Sequence, residues 1–128
     1  MRLLLDTCTF LWAVDDDAKL SDAARSLIVA SENEVYLSAI SAWEITVKQG
    51  LGNLILSEPA FQYVPKYREA HHFLELPLDE ASALQVTRLP TPHKDPFDRM
   101  LICQAIAHGL SILTPDPQIS QYPVRTAW

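Results

Sequence analysis

Short unbroken apolar runs, each followed by a segment of helical character, constrain this chain more than any other feature. Leu3-Leu4-Leu5 is an apolar triplet that stops abruptly on Asp6, and Val35-Tyr36-Leu37 and Ser111-Ile112-Leu113 are short runs of the same kind. A strand with one wet face alternates apolar and polar residues, whereas a continuous run suits a strand covered on both faces. The segments between the runs read as helices. Residues 9–14 and 21–31 form the first two, the second capped by Ser21-Asp22 and stopped near Asn33. Ser41-Ala42-Trp43-Glu44 has the spacing of a capping box and predicts a helix that Gly50 closes. Residues 57–71 are helical in pattern, with Pro65 expected to kink or divide them, 73–76 form a weak strand, and Asp79 caps a helix over 79–88. Asp95-Pro96 is an acid at the cap followed by proline at the first helical position. From Phe97 to Ala107 the residues are apolar on nearly every side, the mark of a buried helix, and Gly109 ends it. Asp116-Pro117 starts another capped turn, and residues 124–126 read as a last edge strand. Alternating strands and helices predict a three-layer α/β/α sandwich around a central, mainly parallel sheet. The pattern leaves the strand order open.

At 128 residues and 48% hydrophobic, the chain is expected to form one domain over 1–128 with a real core. Sixteen acids against ten bases leave a net charge of −6, the wrong sign for coating duplex DNA by general attraction. Cys8 and Cys103 lie far apart in apolar surroundings without C-x-x-C spacing. They read as small buried hydrophobes, which argues against a disulfide scaffold or structural zinc and fits a reducing cytoplasm. No apolar run nears the roughly 20 residues of a membrane span, and Asp6 interrupts the start too early for a signal-peptide core. The expectation is a soluble, cytoplasmic protein.

In an open parallel sheet, ligands bind beyond the carboxyl ends of the strands, and the acids cluster in sequence where those ends are expected. Asp6 follows the first strand directly, Glu44 lies in the helix after the second, Asp95 and Asp98 open the buried helix, and Asp116 stands three residues beyond Leu113. Singly, most have a second reading. Glu44 completes the capping box, Asp95 and Asp116 are N-caps, and Asp98 favours a helix dipole. Asp6 is harder to dismiss, because an acid closing an apolar strand is partly desolvated. Taken together, several carboxylates at one rim repel one another unless they protonate, pair with a base or hold a cation. Lys48, Lys94 and Arg99 are the nearby bases. Oxygen ligands without a cysteine cluster point to Mg²⁺ or Mn²⁺ rather than zinc, and such a site suits phosphodiester hydrolysis.

The chain resembles the PIN-domain family, in particular its VapC-like toxin-type ribonucleases. The resemblance rests on Leu4-Leu5-Asp6-Thr7, on Ser38-Ala39-Ile40-Ser41-Ala42-Trp43-Glu44-Ile45 with Lys48, and on His93-Lys94-Asp95-Pro96-Phe97-Asp98-Arg99. Ala107-His108-Gly109-Leu110 and Leu113-Thr114-Pro115-Asp116 complete it. The pieces span almost the whole chain. The resemblance implies a PIN-like α/β/α fold and a Mg²⁺- or Mn²⁺-dependent endoribonuclease, with Asp6, Glu44, Asp98 and Asp116 as catalytic, metal-holding acids. It gives Thr114 a supporting role, orienting Asp116 or a bound water, and makes Asp95 a helix cap or an outer support. It also implies the toxin of a type II toxin–antitoxin pair, with an RNA substrate, a small antitoxin that obstructs the acidic groove, and a homodimer.

Lys48, Lys94 and Arg99 are candidates for holding the RNA backbone, with Arg99 alternatively paired to a carboxylate. Trp12 and Trp43 read as core residues rather than base-stacking platforms, His93 as a solvated loop residue and His71-His72 as surface. A phosphoacceptor receiver domain would need a lysine at the end of a late strand, and neither 111–115 nor 124–128 has one. A haloacid-dehalogenase-type phosphatase would need Asp-x-Asp after the first strand, where this chain has Asp6-Thr7-Cys8. The remaining alternative is a non-catalytic PIN-like module that binds RNA or protein.

Overall fold

The computed structural model describes residues 1–91 and 95–128. Among the described residues, five strands, β1 (Arg2–Leu5), β2 (Glu34–Ser38), β3 (Leu74–Leu76), β4 (Ser111–Leu113) and β5 (Thr126–Ala127), form one sheet in the order β3-β2-β1-β4-β5. Every pairing is parallel. The helices are α1 (Thr7–Asp15), α2 (Asp22–Val29), α3 (Ala39–Gly50), α4 (Ala60–Ala70), α5 (Glu80–Leu84), α6 (Pro96–His108) and α7 (Pro117–Ser120). Leu4 lies in register with Tyr36 on one side and Ile112 on the other, so β1 is the middle strand. The chain builds outward from β1 through β2 to β3, then returns to place β4 on the opposite side of β1. That reversal at the β1/β4 boundary is a topological switch point, where an open sheet leaves a crevice at its carboxyl edge.

The leucine triplet shows why both faces are covered. Leu3 and Leu5 pack with Phe10, Leu20, Ala24, Ile45 and Tyr63 in one core, and Leu4 packs with Leu101, Ile102, Ile112 and Ile119 in the other. All three leucines are fully buried. Successive side chains point to opposite faces, so an apolar triplet needs a helical layer on each. The layers are α1–α4 on one side and chiefly α6 on the other.

Several helix starts agree with the sequence. Ser21 caps α2 by accepting the Ala24 N–H at 3.0 Å, Asp79 caps α5 through the Ser82 N–H at 3.0 Å, and Asp95 caps α6 through the N–H groups of Phe97 and Asp98. Gly109 closes α6 in the left-handed region at φ +68°. Others differ. The helix expected to open at Ser41 starts earlier, because Ser38 ends β2 and caps α3 at once, accepting the Ile40 N–H at 2.9 Å. Ser41 and Glu44 therefore lie inside α3 and form no capping box. Pro65 neither divides nor ends α4, which runs through it as one helix of 11 residues. The segment predicted helical over 79–88 finishes in a tighter 3-10 turn from Gln85 to Arg88, and the edge strand begins at Thr126 instead of Val124.

Candidate functional site at the carboxyl rim of the sheet

Asp6 is the residue at which β1 becomes α1. Its backbone is still extended, and its Oδ1 accepts the Thr9 N–H at 2.8 Å, so it caps α1. Its Oδ2 accepts a hydrogen bond from the Thr114 hydroxyl, just past β4. That hydroxyl in turn accepts the Asp116 N–H at 3.1 Å. Thr114 thus bridges the ends of β1 and β4 across the switch point, tying Asp6 to the backbone of Asp116. Asp6 is only 5% exposed. Burial pushes its carboxyl above the usual range, the hydrogen bonds from Thr114 and Thr9 oppose that rise, and the nearby charge of Asp116 adds to it. An acid so placed is held in geometry while its charge lacks compensation.

Glu44 is equally buried and arrives from the other side of β1. α3 contributes Ile40 to one core and Ile45 to the other, which sets Glu44 between the layers at the rim. The Thr7 hydroxyl donates to Glu44 Oε1 at 2.6 Å and lies 2.9 Å from Ser41 Oγ, while Lys48, one turn on, pairs with Oε2. Below it, Ser38 Oγ donates to the Oε1 of the fully buried Gln104 on α6, whose amide reaches the Pro77 carbonyl at 3.3 Å. This polar contact fixes the start of α3 against the opposite helical layer.

The remaining acids stand on the same edge. Asp98 lies in the first turn of α6, and Asp116 caps α7 by accepting the Gln118 N–H at 2.9 Å. Electrostatics link these positions. Partial desolvation raises the Cys8 thiol, and the charges of Asp6, Glu44 and Asp98 raise it further while Lys48 opposes them. The pairing with Glu44 raises Lys48, and Asp95 contributes in the same direction. Asp6, Glu44, Asp98, Asp116 and Asp95 therefore act on a shared neighbourhood at the carboxyl edge. Among the described residues, no three His, Cys, Asp or Glu side chains gather as a ready metal-holding group. The donor chemistry still fits a hard divalent cation, since the acids are oxygen ligands and Asp6 is buried with little counter-charge.

The bases behave differently from one another. Lys48 is ion-paired with Glu44 and half exposed. Arg99 donates to the Pro90 carbonyl at 2.8 Å and to the Tyr122 hydroxyl at 3.2 Å. Lys94, with its neighbour His93, lies outside the described residues. Two residues depart from the sequence expectation. Cys8 is exposed, because the first turn of α1 turns it out of the core, whereas Cys103 is buried as expected. Trp43 is 57% exposed, with its ring 5.0 Å from that of Phe97. Trp12 packs against the first core, edge-on to Trp128 at 5.9 Å. Sequence reasoning missed Thr7 and Ser41. The signal was available in Thr7 following the strand-ending acid directly, and in Ser41 lying three residues before Glu44 on one helix face.

A sequence model of the PIN domain matches residues 3–124. The chain belongs to the PIN-domain family. Among solved structures, the fold of this PIN domain is similar to VapBC2 from Rickettsia felis bound to a DNA fragment from its promoter. The TM-score is 0.74 at 15% identity, covering 99% of this chain and 98% of that one. DNA-bound VapBC from Salmonella typhimurium follows at 0.72 and 18%, covering 99% and 97%. VapBC-5 from Mycobacterium tuberculosis, described as a member of a family of toxin–antitoxin systems, gives 0.58 and 17%, covering 94% and 89%. At these identities the likeness is one of fold. A comparison with curated proteins finds no match to the sequence. Among the described residues of this PIN domain, no helix is long and apolar enough to cross a membrane.

Proposed function

We propose that this PIN domain is a Mg²⁺- or Mn²⁺-dependent endoribonuclease and the toxin of a type II toxin–antitoxin pair. The observation that carries the reading is Asp6: a buried carboxylate at the end of the central strand, at the switch point, hydrogen-bonded on both oxygens and yet, among the described residues, without a counter-charge of its own. Asp6, Glu44, Asp98 and Asp116 would supply the oxygens that hold a divalent ion. When bound, that ion supplies positive charge that acidifies a water and offsets charge developing on the phosphate. The chain's own groups do the positioning. Thr9 and Thr114 fix the Asp6 carboxylate, Thr7 fixes Glu44, and Asp95 holds the first turn of α6, which carries Asp98. Lys48 pairs with Glu44 at the lip of the rim and offsets part of the acidic charge there.

The antitoxin partner is supported by the VapBC complexes that share the fold and by charge, since a chain at −6 attracts a basic partner. An arginine from such a partner reaching Asp6 and Glu44 would take the place of the cation. A cytoplasmic location and a homodimer complete the proposal. A non-catalytic RNA- or protein-binding module is the second reading, favoured by the Lys48–Glu44 pair, which already compensates one acid. The deciding experiment is cleavage of RNA with Mg²⁺ or Mn²⁺, with EDTA and a repurified, folded Asp6→Asn protein as controls. Cleavage lost in both controls supports the nuclease. A wild-type protein inert on RNA supports the module, and cleavage that survives Asp6→Asn overturns the site.

A further inference from the structure

The exposed Trp43 and the half-buried Phe97 form an aromatic corner at the rim, and each immediately precedes one of the acids in sequence. Exposure alone does not single this pair out, because Ile55 and Phe61 are more exposed than Trp43. Its location does. The indole projects from α3 one residue before Glu44, and the phenyl ring projects from the first turn of α6 one residue before Asp98. The rings meet at 5.0 Å with 69° between their planes, so Phe97 props the indole edge-on and leaves area open to solvent. The two helices that bring acids to the rim therefore also bring a rigid π-surface to its lip.

Charge argues for what that surface takes. The chain carries −6, and the described cations nearest the rim are committed: Lys48 to Glu44, and Arg99 to the Pro90 carbonyl and the Tyr122 hydroxyl and ring. Apart from a bound divalent ion, the described groups at this rim offer a polyanionic substrate few phosphate contacts. Its grip must come from groups that tolerate an acidic surface. Stacking of an unpaired base on an aromatic ring is of that kind: every base has a π-face, so it tolerates any sequence, and it needs no counter-charge on the protein. A base inside a duplex presents no free face.

We infer that Trp43, backed by Phe97, is a stacking platform for an unpaired RNA base at the lip of the acidic rim. The inference rests on the nuclease reading above and names how that site holds its substrate. Trp43 is a binding and positioning residue in this account, and the acids keep the chemistry.

The test has a binding arm and a turnover arm. In the Asp6→Asn background, with Mg²⁺ present, single-stranded RNA of about eight nucleotides, within the usual site size, is titrated against intrinsic tryptophan fluorescence. Stacking quenches Trp43. Trp43→Ala weakens binding roughly 5- to 150-fold by the stacking strength and the tenfold-per-1.4 kcal/mol relation, while Trp43→Phe restores most of it. In the wild-type background, Trp43→Ala raises KM and leaves kcat within a few-fold. Duplex RNA of the same sequence binds and cleaves poorly in every variant. If wild-type protein cleaves RNA and Trp43→Ala matches it in affinity and KM, the platform is wrong and the nuclease stands. If Trp43→Ala changes self-association or antitoxin binding while RNA affinity holds, the corner is a protein contact and the platform is likewise wrong. If neither binding nor cleavage of RNA occurs in the wild type, the nuclease reading fails and takes the platform with it.

Discussion

Thr7→Val isolates the hydrogen bond that holds Glu44. Valine keeps the shape and β-branching of threonine, and position 7 is the first residue of α1, so the main change is loss of the hydroxyl. That hydroxyl is buried and donates to Glu44 Oε1 at 2.6 Å, and Ser41 Oγ is 2.9 Å away. A hydrogen bond to a charged group contributes about 1.5–3 kcal/mol, and a buried acceptor left unpaired sits in the same range. The expected loss is about 2 kcal/mol. With an unfolding entropy of about 2.1 cal/mol/K per residue, a chain of 128 residues loses about 7 °C in melting point. Calorimetry of the single variant gives the magnitude, and a cycle with Glu44→Gln assigns it. In the Glu44→Gln background the bond is neutral and the valine substitution costs about half as much. A loss below about 0.5 kcal/mol, or the same loss in both backgrounds, would refute the assignment of Thr7 as the group that positions Glu44.

Two further outcomes follow from the geometry. Gly109→Ala forces a side chain into the left-handed backbone at φ +68°, where the added Cβ meets open space. The cost is backbone strain alone, about 1 kcal/mol or about 4 °C in the melting point, and Gly109→Asn costs less. His71 is exposed but stacks on Phe73, and the partial desolvation lowers its pKa, with the His72 charge adding to the effect. The unfolded chain then binds more protons than the native one below the ordinary histidine pKa, so stability rises with pH through that window and is lost as pH falls. His71→Phe keeps the stack and flattens the difference in melting point between pH 5 and 7; an unchanged difference would contradict it.

Much of the fold was legible because the decisive patterns are local. An apolar triplet ending on Asp6 reads as a buried strand, although its length alone leaves a helix start open, and Asp95-Pro96 with Gly109 brackets α6 by cap chemistry alone. The carboxyl rim followed from topology once the strands were parallel. What the pattern misread depended on competition between equivalent signals. Ser38 and Ser41 both offer a cap, and the tie is broken by Ser38 ending β2 with no intervening loop, which only the sheet register reveals. Trp43 lies on a helix of amphipathic pattern, but its side faces the first turn of α6, whose approach is a tertiary fact. The pairing of Thr114 with Asp6 joins residues 108 apart in the chain, and the strand order that brings them together is not written in any window of sequence.

Divalent-ion binding at the carboxyl rim is tested most directly by the free Mn²⁺ signal in electron paramagnetic resonance. Titrating metal-free protein should deplete the free-ion signal in the wild type. Asp6→Asn and Asp98→Asn should restore the signal while keeping the native circular dichroism. A wild-type protein that leaves the free Mn²⁺ signal untouched, or variants that deplete it equally, would contradict the assignment of these carboxylates as the metal site.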